Sequence, residues 1–211
     1  MKNILIIGAT SAIASACARL WATSGSRFVL VGRDGGKLAA IADDLRVRGA
    51  AAADTYVLDV TDAAGHAPMM DAALGILNHL DVALVAHGTL PDQAACETDS
   101  MLALREFTTN AASTIGLLTV IAERIERQGH GAVGVITSVA GDRGRPSNYL
   151  YGSAKAAVSA FCEGLRPRLF KRGVSLTDIR PGFAATPMTE GLPLPALLVA
   201  QPEAVARRIV E

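Results

Sequence analysis

The sequence predicts an α/β fold, a doubly wound parallel β-sheet with helices on both faces. Short apolar segments alternate regularly with stretches of helical spacing along the chain. Those segments are nearly continuous in apolar residues, which is typical of parallel strands buried on both faces. The first of them runs through Gly8 into a helical stretch, which indicates a strand, a tight turn and a helix.

Each element follows from this alternation. Right-handed crossovers between parallel strands would place ligands beyond the carboxyl ends of the strands. Nothing resembling a repeat or a linker interrupts the pattern, so residues 1–211 are predicted to form one domain. The predicted strands are Ile4–Ile7, Phe28–Val31, Thr55–Leu58, Val82–Ala86, Val133–Thr137 and Val174–Ile179, and the two longest predicted helices are Asp99–Arg127 and Tyr151–Lys171.

Composition argues against several classes of function. Twenty basic and twenty acidic residues leave no net charge, and only 4% of residues are aromatic, so no nucleic-acid surface is expected. No segment is long and apolar enough to span a bilayer. The three cysteines are odd in number and widely separated, which favours reduced thiols in a cytoplasmic protein. The four histidines show no metal-ligand spacing, so no metal is predicted.

The segment YGSAK places Lys155 four residues after Tyr151, and Ser138 closes an apolar run upstream. Residues four apart share a helix face, so the Lys155 ammonium is expected near the Tyr151 phenol, where it would lower the phenol pKa. Such a phenol can give a proton to a ketone oxygen or take one from an alcohol, while a serine hydroxyl holds that oxygen. Tyr149 has Ser153 at the matching position, so Tyr151 is the predicted acid.

The first predicted helix begins just after Gly8. Free N–H groups and the positive dipole end of such a helix suit the pyrophosphate of a dinucleotide. A secretory signal is the alternative interpretation, with Lys2, an apolar stretch and small residues at positions 14–16. Thr10 and Ser11 interrupt that stretch, and cleavage would remove the first strand, so the dinucleotide interpretation is preferred.

These motifs resemble the short-chain dehydrogenase/reductase family, which has a Rossmann-type fold and the pattern Gly-x-x-x-Gly-x-Gly at its first helix. Gly8 matches, whereas Ala12 and Ala14 occupy the other two glycine positions. Two extra methyl groups there are expected to shift or weaken the cofactor, although alanine is the smallest alternative. The resemblance covers nearly all of the chain.

The second strand ends in VGRD, at a position that commonly meets the adenosine ribose. Arg33 can pair with a 2′-phosphate, whereas an acidic residue would bind a free 2′-hydroxyl, so NADP(H) is predicted over NAD(H). Asp34 supplies a carboxylate one residue away, which keeps NAD(H) open. A solvated surface arginine is the alternative interpretation.

The resemblance implies further cofactor contacts. Asp59 would meet the adenine amine with Val60 packing nearby, although Asp59 could instead cap a helix, as Asp62 could. The family's Asn-Asn-Ala-Gly is replaced by VAHG, which keeps Gly88 and places His87 near the nicotinamide ribose, with a structural histidine as the alternative.

The resemblance also implies a fourth catalytic residue, Asn110, which would link the lysine to solvent through ordered water. Pro181, Gly182 and Thr186 in RPGFAATPM would border the nicotinamide. The full predicted set comprises Ser138, Tyr151, Lys155 and Asn110 as catalytic residues, and Gly8, Thr10, Ser11, Ala12, Ile13, Arg33, Asp59, Val60, His87, Gly88, Tyr151, Lys155, Pro181, Gly182 and Thr186 as cofactor contacts.

The proline-broken apolar segment 191–200 is predicted to cover a partly apolar substrate, with loop packing as the alternative. Asp142, Arg143 and Arg145 would flank the pocket and could recognise a phosphate or a sugar. GDRGRPSNYLYGSAK resembles the family branch that reduces a lipid-phosphate-linked 2-keto-pentose. The chain given stops at Glu211 inside a predicted helix, before the seventh strand usual in the family.

The predicted function is an NADP(H)-dependent oxidoreductase that interconverts a ketone and a secondary alcohol. The alternatives are a dinucleotide-binding regulator without turnover, which the altered glycines favour, and a nucleotide-sugar dehydratase or epimerase, for whose substrate domain there is no room. Family members pair through the two long helices, so a homodimer or homotetramer is expected.

Overall fold

The computed structural model describes residues 1–211 and contains one six-stranded sheet in the order β3-β2-β1-β4-β5-β6, with every neighbouring pair parallel. This topology confirms the predicted doubly wound α/β fold. The strands are β1 (Asn3–Ile7), β2 (Arg27–Gly32), β3 (Ala52–Val57), β4 (Val82–Val85), β5 (Gly131–Ile136) and β6 (Val174–Ile179).

Helices occupy both faces of the sheet and connect the strands. None of them has the length and apolar character needed to cross a membrane. The helices are α1 (Ala12–Ala22), α2 (Gly35–Val47), α3 (His66–Leu77), α4 (Gln93–Thr98), α5 (Ser100–Phe107), α6 (Ser113–Gln128), α7 (Tyr149–Phe170) and α8 (Pro202–Val210).

Two apolar cores lie on the two faces of the sheet. Leu5 and Ile7 of β1 point into a core shared with α3, α6 and α7. Ile4 and Ile6 point into the other core, which is shared with α1, α2 and α8. Successive side chains of a strand point to opposite faces, so a strand buried on both sides must be apolar throughout. This is why the continuous apolar runs predicted the parallel sheet.

Most predicted boundaries lie within two residues of those in the structure, and two elements differ more. The third strand was predicted at Thr55–Leu58 but spans Ala52–Val57, because its pairing with β2 begins at Ala52 opposite Arg27. The predicted helix Asp99–Arg127 is interrupted by a wider π-helical turn over Thr108–Ala112, which joins α5 to α6. The first difference arises from strand pairing, which local composition does not encode.

Candidate active site

Ser138, Tyr151 and Lys155 are brought together where β5 ends and α7 begins. Ser138 has an extended backbone two residues after β5, and its Oγ accepts the Ala140 N–H at 3.1 Å. Tyr151 and Lys155 lie on consecutive turns of α7, and Lys155 Nζ is 5.7 Å from the centroid of the Tyr151 ring. The structure therefore places the three predicted side chains at one site.

Burial controls the proton affinities of this group. It raises the pKa of Tyr151, and the Ser138 hydroxyl opposes that rise. Burial also lowers the pKa of Lys155 to about 8, although the Asp178 carboxylate favours the charged form. The sequence predicted a lowered Tyr151 pKa, whereas in the polypeptide itself the net shift is upward, because desolvation of the phenolate dominates.

Lys155 is held by the end of the neighbouring strand. Its side chain is only 4% exposed, and Nζ donates a hydrogen bond to the Ile136 carbonyl at 3.1 Å. Gly88, which follows β4, lies beside the ammonium. A Cβ atom on Gly88 would lie 3.4 Å from Lys155 Nζ and 2.9 Å from Asn110 Oδ1. This glycine therefore lets the loop after β4 approach both predicted catalytic side chains.

Asn110 lies in the π-helical turn and is 1% exposed, so solvent exposure does not explain an asparagine inside this long helix. Its Oδ1 accepts the Thr89 N–H at 2.9 Å, and its Nδ2 donates to Thr89 Oγ1 and to the Glu106 carbonyl, both at 3.0 Å. π-turns inside α-helices occur frequently at functional sites. The Asn110 amide thus fastens the loop after β4 to the helix.

The turn between β1 and α1 fits a dinucleotide. Gly8 has φ +80°, and a Cβ atom on it would lie 2.5 Å from the His87 backbone nitrogen, so only glycine fits there. Ser11 caps α1 without a side-chain hydrogen bond to the first turn. The first N–H groups of a helix have no acceptor within it. The N–H groups of Ala12 and Ile13 can therefore donate hydrogen bonds to the phosphate oxygens of a bound dinucleotide.

The ends of β2 and β3 form the predicted adenosine side of this site. Arg33 is exposed, whereas the Asp34 carboxylate caps α2 by accepting the Lys37 N–H at 3.0 Å. Asp59 Oδ1 accepts the backbone N–H and the hydroxyl of Thr61 at 2.9 and 2.8 Å, and these bonds lower the Asp59 pKa.

Of the two aspartates near β3 that could cap a helix, only Asp62 does so. Asp62 caps the short 3₁₀ helix Ala63–Gly65, and its Oδ1 accepts the Ala64 N–H at 3.1 Å. Asp59 caps no helix, and Val60 beside it is buried. Asp59 therefore presents an ionised carboxylate, oriented by Thr61, at the carboxyl edge of the sheet.

His87 is built into the site by two hydroxyl groups. Its Nε2 lies 3.0 Å from both Ser113 Oγ and Thr114 Oγ1, whereas its Nδ1 is buried without a hydrogen-bond partner. Burial lowers the His87 pKa to about 3, and the Lys155 charge acts in the same direction. The ring is therefore a neutral imidazole at physiological pH, with one nitrogen unused by the protein.

Sequence reasoning missed the ion pairs that hold the end of β6. Arg180 pairs with Asp178 at 2.7 Å, with Asp142 at 2.9 Å and with Glu163 at 3.2 Å. Asp178 also accepts a hydrogen bond from the Thr137 hydroxyl. These contacts join the loop after Ser138 to the segment that begins at Pro181. Widely separated residues form this network, so no local motif announces it.

The predicted segment after β6 leaves the sheet and returns to it. Its base is closed by two backbone hydrogen bonds of 2.9 Å, from Ala185 N–H to the Ala200 carbonyl and from Ala200 N–H to the Phe183 carbonyl. Pro181 accepts the Val139 N–H at 3.2 Å. Thr186 lies inside the excursion and caps its first 3₁₀ turn. The segment from Pro181 to Thr186 therefore borders Ser138 from the β6 side.

Residues 2–194 match the sequence model described as short chain dehydrogenase. An uncharacterized oxidoreductase of Mycobacterium tuberculosis is 39% identical over 203 residues, which cover 96% of this chain and 81% of that protein. Two solved structures share the fold. Actinorhodin polyketide ketoreductase with NADPH gives a TM-score of 0.88 at 22% identity. The match covers 99% of this chain and 88% of that chain.

NAD⁺-bound xylitol dehydrogenase gives a TM-score of 0.80 at 24% identity, with 87% of this chain and 71% of that chain covered. The family match extends over most of the chain, and the similarity to the mycobacterial relative covers nearly all of this chain and about four fifths of that protein. The protein therefore belongs to the short-chain dehydrogenase/reductase family and is an oxidoreductase that acts on CH–OH groups.

Proposed function

We propose that this protein interconverts a ketone and a secondary alcohol with NADP(H), using Tyr151 as the proton donor and acceptor. One observation carries the proposal: Ser138, Tyr151 and Lys155 meet at the carboxyl edge of the sheet, beside the loop at Gly88. The bound nicotinamide would supply or accept the hydride.

The side chains divide the work at the substrate oxygen. Ser138 would hold the carbonyl oxygen by a hydrogen bond, and Tyr151 would transfer its proton to that oxygen during reduction. The Tyr151 phenol is protonated at neutral pH, which is the form that reduction of a ketone requires. Lys155 would bind the ribose and stabilise the phenolate, while Asn110 would hold the loop that borders them.

The preference for NADP(H) rests on how two neighbouring side chains are used. Asp34 is occupied by the Lys37 N–H and by a salt bridge of 3.8 Å to the Lys37 ammonium. Arg33 is exposed at the end of β2 and free to pair with a 2′-phosphate. A carboxylate engaged in capping a helix is a weaker acceptor for a ribose hydroxyl, and this supports the proposed preference for NADP(H).

The proposed substrate has an anionic part and an apolar part. Arg143 and Arg145 are exposed on the loop after Ser138, whereas the Asp142 carboxylate beside them is paired with Arg180 at 2.9 Å. Large apolar side chains are also exposed on the loop after Ser138, at the start of α7 and along the segment after β6, and in this proposal they form an apolar rim beside the arginines. They are Val139, Tyr149, Phe183, Met188, Leu192, Leu197 and Leu198.

Arginines beside an apolar rim suit a keto-sugar attached to a lipid phosphate. The guanidinium groups would bind the phosphate, and the rim would receive the first part of the lipid chain. A water-soluble keto-sugar would use the arginines alone, and a neutral apolar ketone would use the rim alone. The three substrate types therefore test the two features separately.

The decisive experiment is a parallel titration with NADPH and NADH, followed by carbonyl-dependent oxidation of the bound nucleotide. Tight NADPH binding with turnover of ketones supports the proposal. Binding without turnover of any ketone or alcohol would instead favour a cofactor-sensing regulator. Failure to bind either nucleotide would mean that Ala12 and Ala14 have disabled the site.

We further propose that the protein pairs through α5, α6 and α7 into a homodimer or homotetramer in the cytoplasm. Met101 and Leu104 on α5 are each 61% exposed, so this short helix leaves two large apolar side chains in contact with water. Light scattering of the purified protein measures the mass directly, and a monomer mass at assay concentration would contradict this pairing.

A further inference from the structure

A cluster of two histidines and one aspartate lies at the amino ends of the strands, away from the candidate active site at their carboxyl ends. His79 and Asp81 belong to the turn before β4, and His130 belongs to the turn before β5. β4 and β5 are neighbouring parallel strands, so their preceding turns lie side by side. One potential ligand atom from each of the three side chains lies within 4.8 Å of the other two.

Gln128 fixes the two turns relative to each other. Its Oε1 accepts the Leu80 N–H at 2.9 Å, and its Nε2 donates to the carbonyls of Leu80 and His130 at 2.6 and 2.7 Å. Asp81 Oδ2 accepts the Asn3 N–H at 2.7 Å. The second oxygen of Asp81 faces His79 Nε2 at 3.6 Å. The backbone that carries the three side chains is therefore held in place.

Asn3 lies against His79 and is only 7% exposed. Its Nδ2 lies 3.1 Å and 3.4 Å from the two ring nitrogens of His79, and its Oδ1 is buried without a hydrogen-bond partner. Rotating the amide by half a turn would present that oxygen to the ring. A metal-bound histidine commonly donates its other N–H to such an oxygen. The unpartnered Asn3 oxygen is therefore the acceptor that a metal-bound His79 would use.

Within the cluster, only a loose ion pair joins His79 to Asp81. The distance of 3.6 Å between His79 Nε2 and Asp81 Oδ1 is too long for a hydrogen bond. The rings of His79 and His130 lie with their centroids 5.7 Å apart and tilted by 55°, so they are not stacked. Two imidazoles and a carboxylate thus lie around a shared space with no hydrogen bond between any two of them.

We propose that His79, Asp81 and His130 bind one divalent transition-metal ion of the Zn²⁺ type, with Asn3 supporting His79. Imidazole nitrogen and carboxylate oxygen are ordinary Zn²⁺ ligands at about 2.0–2.2 Å, which implies roughly 3.3 Å between ligand atoms in a tetrahedral site. Closing from 4.8 Å needs small rotations of two exposed histidine side chains. The fourth position faces solvent and would hold water.

The test uses untagged, chelator-treated full-length protein titrated with Zn²⁺ in a calorimeter, and with Co²⁺ to read the coordination from its visible spectrum. We expect one ion per chain. His79→Gln and His130→Gln should each weaken binding about tenfold or more. Asp43→Asn, which alters an exposed carboxylate on α2, is the matched control and should bind like the wild type.

A second readout is thermal. Zn²⁺ at about 100 times Kd should raise the Tm of the wild type by roughly 5–10 °C and leave that of a His79→Gln, His130→Gln double variant unchanged. NADPH binding should be equal in all variants, because the cluster lies at the other end of the strands. Absence of saturable binding, or wild-type affinity in both single histidine variants, would overturn the proposal.

Discussion

Lys155 Nζ lies 5.7 Å from the centroid of the Tyr151 ring, yet both groups are so desolvated that their pKa values move toward the uncharged forms. The pair therefore begins with a protonated phenol beside an ammonium that gives up its proton more readily than a surface lysine does. The protonated phenol is the form that gives a proton to a carbonyl oxygen during reduction.

Tyr151→Phe should reduce ketone turnover by about 100-fold to 10,000-fold, the range that general acid catalysis commonly contributes. The substitution removes one hydroxyl and keeps the ring packing, so NADPH affinity should change little. Steady-state kinetics and nucleotide titration measure the two effects. Tyr149→Phe is the matched control, because Tyr149 is exposed two residues earlier on the same helix. Wild-type turnover in Tyr151→Phe would refute the proposed acid.

Arg33→Ala should raise the Kd for NADPH by about 10-fold to 150-fold, which corresponds to losing a charge-assisted hydrogen bond of roughly 1.5–3 kcal/mol. The Kd for NADH should stay within about twofold, because NADH lacks the 2′-phosphate. Lys171→Ala removes an exposed cation that has no part in the proposed site and serves as the control. Equal weakening of both nucleotides would show that Arg33 acts through general charge and not through the phosphate.

Lys155→Met should make the protein more stable at pH 7. Burial lowers the Lys155 pKa in the fold from 10.5 to about 8, so holding the charged form costs about 3 kcal/mol below pH 8. That cost disappears as the pH rises from 8 to 10.5, because only the unfolded chain still holds the proton.

Urea unfolding at pH 7 and at pH 10 measures this effect. The advantage of Lys155→Met over the wild type should be about 1–3 kcal/mol at pH 7 and should shrink toward zero at pH 10. Lys171→Met, at the exposed end of α7, should show no such change with pH. A constant difference between wild type and Lys155→Met would contradict the buried charge.

His87 should make the protein sensitive to acid. Its pKa falls from 6.5 in the unfolded chain to about 3 in the fold, so its contribution to stability is complete above pH 6.5 and is lost as the pH falls toward 3. His87→Asn removes the titrating ring and should flatten the fall in unfolding free energy between pH 6.5 and 4. His130→Asn, an exposed histidine, is the comparison. Parallel curves for His87→Asn and the wild type would disprove the assignment.

Local patterns were reliable wherever one segment contains the whole signal. β6 was predicted with its observed bounds, and Pro202–Val210 forms the helix expected near the end of the chain. YGSAK placed Tyr151 and Lys155 on one face of a helix because four-residue spacing does so in any α-helix. The third strand begins three residues earlier than predicted because its start is set by pairing with β2.

Contacts between distant segments were beyond the reach of the sequence. Asn110 binds Thr89, and Arg180 pairs with Asp142 and Glu163, only because the fold makes neighbours of these segments. His79 and His130 are separated in the chain by β4 and by three helices, α4, α5 and α6, so their spacing indicated no metal site. Only the parallel order of β4 and β5 brings them together.

The sequence by itself determined the alternation of strands and helices, the glycine turn at β1 and the residue types needed for carbonyl reduction. These features depend on periodicity and spacing within one segment, which backbone geometry translates directly into structure. The tertiary structure alone decided the proton affinities of Tyr151, Lys155 and His87. A pKa depends on the solvent and charges that surround a group, and in this protein those surroundings are contributed by strands and helices far apart in the chain.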